Sequence, residues 1–171
     1  AGRGRQFRPP PVKVAAEALG LPILQPTSPR QRELPGQLAA FEPDAFAVIA
    51  FSILPRRLLA VPRLGSVNVH PSLLPAYRGA APIIWALFDG CTETGISTFL
   101  LNPSIDAGDI LLQERVAIDP EETAGELEAR LAVDGAELLL RSLDGLEDGT
   151  LEPQPQMGAD SSRAPKLTRQ D

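Results

Sequence analysis

The chain has 171 residues, a length that fits one domain of roughly 150 residues able to bury about two-thirds of its unfolded surface. With 43% hydrophobic and 22% charged residues the composition is globular, which excludes a disordered, collagenous or coiled-coil chain, and 16 basic against 22 acidic residues give a net charge of −6, so any polyanion must be met by a local patch. A single cysteine, Cys91, forbids an intramolecular disulfide, and a single histidine, His70, cannot alone build a zinc site. The longest apolar runs fall far short of the roughly 20 residues that a membrane span needs.

The opening AGRGRQFRPPPVK sets Arg3, Arg5, Arg8 and Lys13 among glycines and prolines with no acid between them, the composition of an exposed basic loop over residues 1–11. Residues 12–19 follow a helical rhythm that stops at Gly20, and residues 21–24 read as a short strand before Pro26. A second helix falls within 30–41, disturbed by Pro35 and Gly36. The continuous apolar run 45–51 has the character of a strand buried on both faces of a parallel sheet. A short helix is expected over 55–60, a strand over 66–70, and a helix over 83–88 after an irregular Pro- and Gly-rich stretch. Two strands, 96–101 and 110–118, flank the turn-prone NPSIDAGD. Asp119 and Pro120 form a helix entry, Thr123 with Glu126 fits a capping box, and Leu127, Leu131, Leu138 and Leu139 make an apolar stripe through a long helix that lies against the sheet.

Strands alternating with helices point to an α/β domain with a mainly parallel sheet flanked by helices, which places the chemistry at the carboxyl ends of strands, between residues 51 and 109. Residues 1–150 are expected to form the catalytic domain, and the polar stretch 151–171 a linker.

Asn68 and His70 are two apart on one strand, so both side chains project from the same face. An amide donor beside a titratable imidazole suits a reaction in which negative charge develops on an oxygen, although a histidine near a strand end can equally be a hydrogen-bonded structural residue. Asp106, in the turn SIDAGD, could orient that imidazole or could close an Asx turn on its own backbone. Ser72, Leu73, Leu74 and Pro75, followed by Arg78 and Gly79, could line a slot for a flat ring or plug the core with their leucines. A serine triad on Ser72 lacks its GxSxG elbow, no phosphate loop is present, and the one GxG lies in the leader with no strand before it.

The string GSVNVHPSLLPAYRGAAPI at 65–83, with ETGIS at 93–97 and IDAGDIL at 105–111, resembles the formyltransferase domain of the methionyl-tRNA formyltransferases. The opening resembles the segment after that domain's second strand, and the closing APKLTRQD resembles the entry to its linker. The resemblance implies a Rossmann-like fold, 10-formyltetrahydrofolate as formyl donor, and the amino group of methionine on initiator methionyl-tRNA as acceptor. It implies a cytoplasmic monomer that uses no metal and no nucleotide cofactor. Asn68, His70 and Asp106 fall on the family's catalytic positions; Ser72, Leu73, Leu74 and Pro75 on its folate-contacting loop; Ile53 and Leu54 on the backbone that reads the pterin; and Arg3 and Arg5 on a basic loop set against the tRNA acceptor stem. Asn68 and a protonated His70 would stabilise the tetrahedral oxyanion while Asp106 fixes His70. Phe51 and Ser52 stand where the family usually has an aromatic and Gly, so Ser52 is the departure, and it could tighten the backbone approach to the pterin.

On the same resemblance, a strand-helix-strand unit is expected before Ala1 and a barrel domain after Asp171, and the chain alone is expected to be poorly stable and weakly active. An amino-sugar or purine-intermediate formyltransferase, a 10-formyltetrahydrofolate hydrolase, and a truncated folate-binding module without turnover are the competing readings.

Overall fold

The computed structural model describes residues 9–51, 53–157 and 162–167, and divides the chain into two units, Ala1–Arg32 and Glu33–Asp171. In the first unit Pro11 opens helix α1 (Pro11–Ala18), where its missing N–H costs nothing. The helix stops at Gly20, whose φ of +66° lets its N–H reach the Glu17 carbonyl (3.1 Å) and the Leu21 N–H reach that of Ala16 (2.9 Å). Residues 21–24, expected as a strand, carry no regular secondary structure and have no strand partner among the described residues.

The second unit runs α2 (Leu34–Ala39), β1 (Phe46–Val48), α3 (Arg56–Leu59), β2 (Ser66–His70), β3 (Arg78–Gly79), α4 (Pro82–Phe88), β4 (Glu93–Leu100), β5 (Ile110–Ala117), α5 (Ala124–Glu147) and β6 (Arg163–Ala164). Four strands form one sheet in the order β1-β2-β4-β5. The fold class is α/β, but the expected mainly parallel sheet is corrected here: β1 and β2 are parallel, while β2–β4 and β4–β5 are antiparallel. For β4 and β5 the reason is connectivity. No helix separates β4 from β5, so the chain returns directly alongside itself. The apolar run 45–51 supplies only three strand residues; Ile49 and Phe51 are 62% and 53% exposed, which corrects the expectation of burial on both faces.

Helix α5 begins at Ala124, later than the Asp119–Pro120 entry, because Asp119 closes a turn by accepting from the Glu121 N–H (3.0 Å). Thr123 forms the capping box: its Oγ1 accepts from the Glu126 N–H (3.4 Å), and Glu126 Oε2 accepts from the Thr123 N–H (2.9 Å). The Leu127, Leu131 and Leu138 stripe packs with Ala86, Ile96, Val116 and Ile118, and Leu139 joins Val67 and Leu111. Each fully buried leucine there contributes roughly 1.5–3 kcal/mol. Gly135 permits this approach, since a Cβ there would stand 3.0 Å from Val69 Cγ1.

Past α5 the described residues lie against the domain. Gln154 pairs through its backbone with Ile110, β6 runs parallel to β3, and the Trp85 indole donates to the Pro165 carbonyl (2.8 Å).

Candidate active site

Strand β2 carries Asn68 and His70 on one face, and β1 pairs only with its residues Ser66 to Asn68. Beyond that point the sheet edge opens into a groove of about 990 Å³ lined by Asn68, His70, Gly79, Asp106 and, from α5, Glu128 and Leu131. A smaller cavity of about 80 Å³ adjoins it, sharing Asn68 and Asp106 and walled by Phe51, Ile53, Leu54 and Ile105. The Asn68 side chain has no hydrogen-bond partner among the described residues, so its amide is available to a ligand in either space.

His70 is 5% exposed. Its Nε2 lies 2.9 Å from the Tyr77 carbonyl, which can only accept, so Nε2 carries a hydrogen and Nδ1 is the nitrogen free to exchange a proton. Nδ1 stands 3.9 Å from Asp106 Oδ2, an ion-pair separation too long for a hydrogen bond. Burial pushes the imidazole pKa below its ordinary 6.5, outweighing the Asp106 carboxylate and the Tyr77 carbonyl, which both raise it. Burial thus favours the neutral imidazole, the form in which Nδ1 can take up a proton.

Asp106 arrives on the loop between β4 and β5 in a left-handed backbone conformation, φ +46°, and its Oδ2 accepts from the Gly79 N–H (2.9 Å). Tyr77, also left-handed at φ +55°, is clamped at three points. Its N–H donates to Ser162 Oγ (2.8 Å), its hydroxyl donates to Asp89 (2.9 Å), and the same hydroxyl meets Cys91 Sγ (3.1 Å). Burial first, then Cys91 and Asp89, raise the phenol's pKa, so it stays protonated and keeps donating.

The expected folate loop is placed differently from Ile53 and Leu54, which do wall the smaller cavity. Ser72, Leu73, Leu74 and Pro75 line neither space. Ser72 and Leu74 are buried, and Leu73 packs over Gly95, where a Cβ would come within 2.4 Å of its Cδ2. Ser97 Oγ donates to the Ser72 carbonyl (2.6 Å) and accepts from the Leu74 N–H (3.0 Å), while Gln113 Nε2 donates to the Leu74 carbonyl (3.0 Å). The loop is thus a plug bound to β4 and β5, and it delivers Tyr77 to His70. Arg3, Arg5 and Ser52 lie outside the described residues. Among the described residues no group of three or more His, Cys, Asp or Glu converges on a metal-sized space, and no helix is long and apolar enough to cross a membrane.

Sequence reasoning missed Tyr77, Ser97, Gln113 and Gln156, and named Gly79 only beside the loop expected to line a ring slot, without its bond to Asp106. Tyr77 and Gly79 act through main-chain atoms, which no side-chain pattern announces; only the Gly of RGAAP hinted at a close backbone approach.

The architecture is that of formyl-transferring enzymes. A glycinamide ribonucleotide transformylase from Symbiobacterium toebii shares the fold at a TM-score of 0.72, with 21% identity over 83% of this chain and 72% of its own. An N-formyltransferase from Helicobacter canadensis, solved in complex with folinic acid and dTDP-3-aminofucose, matches at 0.56 with 28% identity over 62% of this chain and 39% of its own. The family model described as formyl transferase matches residues 1–143, and the chain belongs to that family. Methionyl-tRNA formyltransferases from Synechococcus sp. (strain JA-2-3B'a(2-13)) and Mycobacterium avium (strain 104) are 52% and 50% identical over 99% and 98% of the chain. The chain spans about half the length of these curated relatives, 53% and 54%.

Proposed function

We propose that the chain transfers the formyl group of 10-formyltetrahydrofolate to the amino group of methionine on initiator methionyl-tRNA, a cytoplasmic step of translation initiation. The observation that carries the chemistry is the convergence of the Asn68 amide, His70 Nδ1 and the Asp106 carboxylate on one cleft. The acceptor is supported by relatives of that name at about half identity across the chain, against 28% for the sugar enzyme.

The neutral amine attacks the formyl carbon, forming the new C–N bond as the carbonyl electrons move onto oxygen. Asn68 donates to that oxyanion. His70 Nδ1 takes the proton shed by the amine, and Asp106 stabilises the resulting imidazolium. The imidazolium then protonates the folate nitrogen as its bond to carbon breaks, returning His70 to the neutral form. Ile53 and Leu54, with Phe51 and Ile105, wall the space for the flat donor ring. Ser72, Leu73, Leu74 and Pro75 serve that ring indirectly, by holding the loop. Arg3 and Arg5 supply the basic patch for the tRNA backbone.

The test is transfer of labelled formyl to methionyl initiator tRNA by the chain with whatever coding sequence flanks it, alongside His70→Ala and Asn68→Ala. Each variant should lose on the order of 100-fold or more in turnover. Near-normal rates in either would overturn its role, and folate turnover without labelled tRNA would overturn the acceptor.

A further inference from the structure

One side chain beyond α5 reaches the loop that carries Asp106. Gln156 Nε2 donates to the main-chain carbonyls of Asp106 (2.9 Å) and Gly108 (2.8 Å). Its Oε1 accepts from both Nε (3.1 Å) and Nη2 (2.5 Å) of Arg78. Both amide hydrogens and both oxygen lone pairs are therefore committed, across three segments far apart in the chain. A glutamine that merely filled a surface gap would not need a guanidinium fork to hold its oxygen.

What it holds is a backbone that a non-glycine residue rarely adopts, the left-handed Asp106. The carboxylate of Asp106 is gripped separately, by the Gly79 N–H, and Gly79 follows Arg78 directly in β3. The main chain of Asp106 is thus tied to β3 through Gln156 and Arg78, and its carboxylate is tied to the next residue of the same strand. The line from Asp106 to His70 Nδ1 depends on both ties.

We propose that Gln156, braced by Arg78, is a positioning residue for Asp106 and through it for His70. The inference rests on the formyl-transfer reading above for its kinetic consequence, though not for its geometric one.

The experiment uses the chain with its flanking coding sequence and two uncharged replacements. Gln156→Met keeps the length and removes every hydrogen bond; Gln156→Asn keeps the amide and shortens its reach. Gln154→Met is the control, since the side chain of Gln154 donates to the Glu152 carbonyl and forms no hydrogen bond to Arg78 or Asp106. Both Gln156 variants should lower kcat, Met by about 10- to 100-fold and Asn by less, with KM for the donor within about twofold. The control should match the parent.

A second readout does not depend on turnover. His70 is the only histidine of these 171 residues; in the extended protein its imidazole NMR signals are the ones that His70→Gln removes, and among the described residues Asp106 and Glu128 are the charged side chains lining the groove around it. In Gln156→Met the titration midpoint of His70 should fall toward that of Asp106→Asn, as the carboxylate moves off the ring. A folded Gln156→Met or Gln156→Asn with an unmoved midpoint and unchanged kcat would overturn the proposal. A shifted midpoint in a protein that transfers no formyl group would support the positioning role and overturn the function.

Discussion

Gly79 is the position where one added methyl group should be felt at both the fold and the chemistry. It sits at φ +133°, and a Cβ there would lie 2.4 Å from the Ala164 carbonyl oxygen and 2.9 Å from its carbon. Ordinary contact begins at about 3.4 Å, so Gly79→Ala must part β3 from β6 by roughly 1 Å. That movement strains the Arg78 N–H to Ser162 O (3.0 Å) and Ala81 N–H to Ala164 O (3.1 Å) bonds, at roughly 1 kcal/mol each. The backbone conformation adds about 1–3 kcal/mol, for a total destabilisation of about 3–5 kcal/mol. The Gly79 N–H also holds Asp106 Oδ2, so a shift of this size displaces the carboxylate from His70 and should reduce kcat by about 100-fold. Urea unfolding and the formyl-transfer rate, measured on the same preparation, read the two effects. A Gly79→Ala protein with the parent's unfolding midpoint and a kcat within about threefold of the parent's would refute both the steric argument and the route to Asp106.

The lowered His70 pKa makes stability depend on pH with a defined sign. The unfolded imidazole, at its ordinary 6.5, takes up a proton before the folded one does, so stability is full above that value. It falls as pH drops through 6.5, until the folded imidazole titrates as well; urea midpoints at about pH 7.5 and about pH 5.5 should show the loss, and His70→Gln should remove that part of it. At the other end of the domain, Thr123→Ala removes the side-chain half of the capping box and should cost about 1 kcal/mol in the same unfolding assay while leaving formyl transfer unchanged. A Thr123→Ala protein as stable as the parent would mean that the α5 entry is held elsewhere, the Arg130–Glu122 pair being the alternative anchor.

The elements most legible in the sequence were those whose periodicity and termini agree. Strand β2 coincides with the expected 66–70, and α5 displays its capping box and leucine stripe as written. Strand β1 was over-read because an apolar run reports composition, while burial depends on neighbours: beyond Val48 the described residues offer Ile49 and Phe51 little cover. Strand direction was misjudged because alternating helices were taken for granted. The turn-prone 101–109 stretch, too short for a crossover helix, was the available sign of an antiparallel return. At the site, Asn68, His70 and Asp106 were legible as side chains. Tyr77 and Gly79 were not, because a carbonyl and an N–H are present at nearly every residue. Gln156 sits in a polar stretch that looks like any linker until its four hydrogen bonds are seen.

Strand β2 is hydrogen-bonded on both sides, to β1 through Ser66, Val67 and Asn68, and to β4 from Val67 to His70. A slip of one residue would break both ladders at once and turn Asn68 and His70 to the opposite face, against the helix. The spacing between Asn68 and His70 is therefore a backbone repeat, independent of how the surrounding side chains pack. Val67 and Val69, which fill the core between them, are free to be replaced by residues of similar volume without altering that spacing. An insertion or deletion inside the strand has no such freedom. The chemistry of this site can thus tolerate drift in composition while remaining intolerant of any change in count.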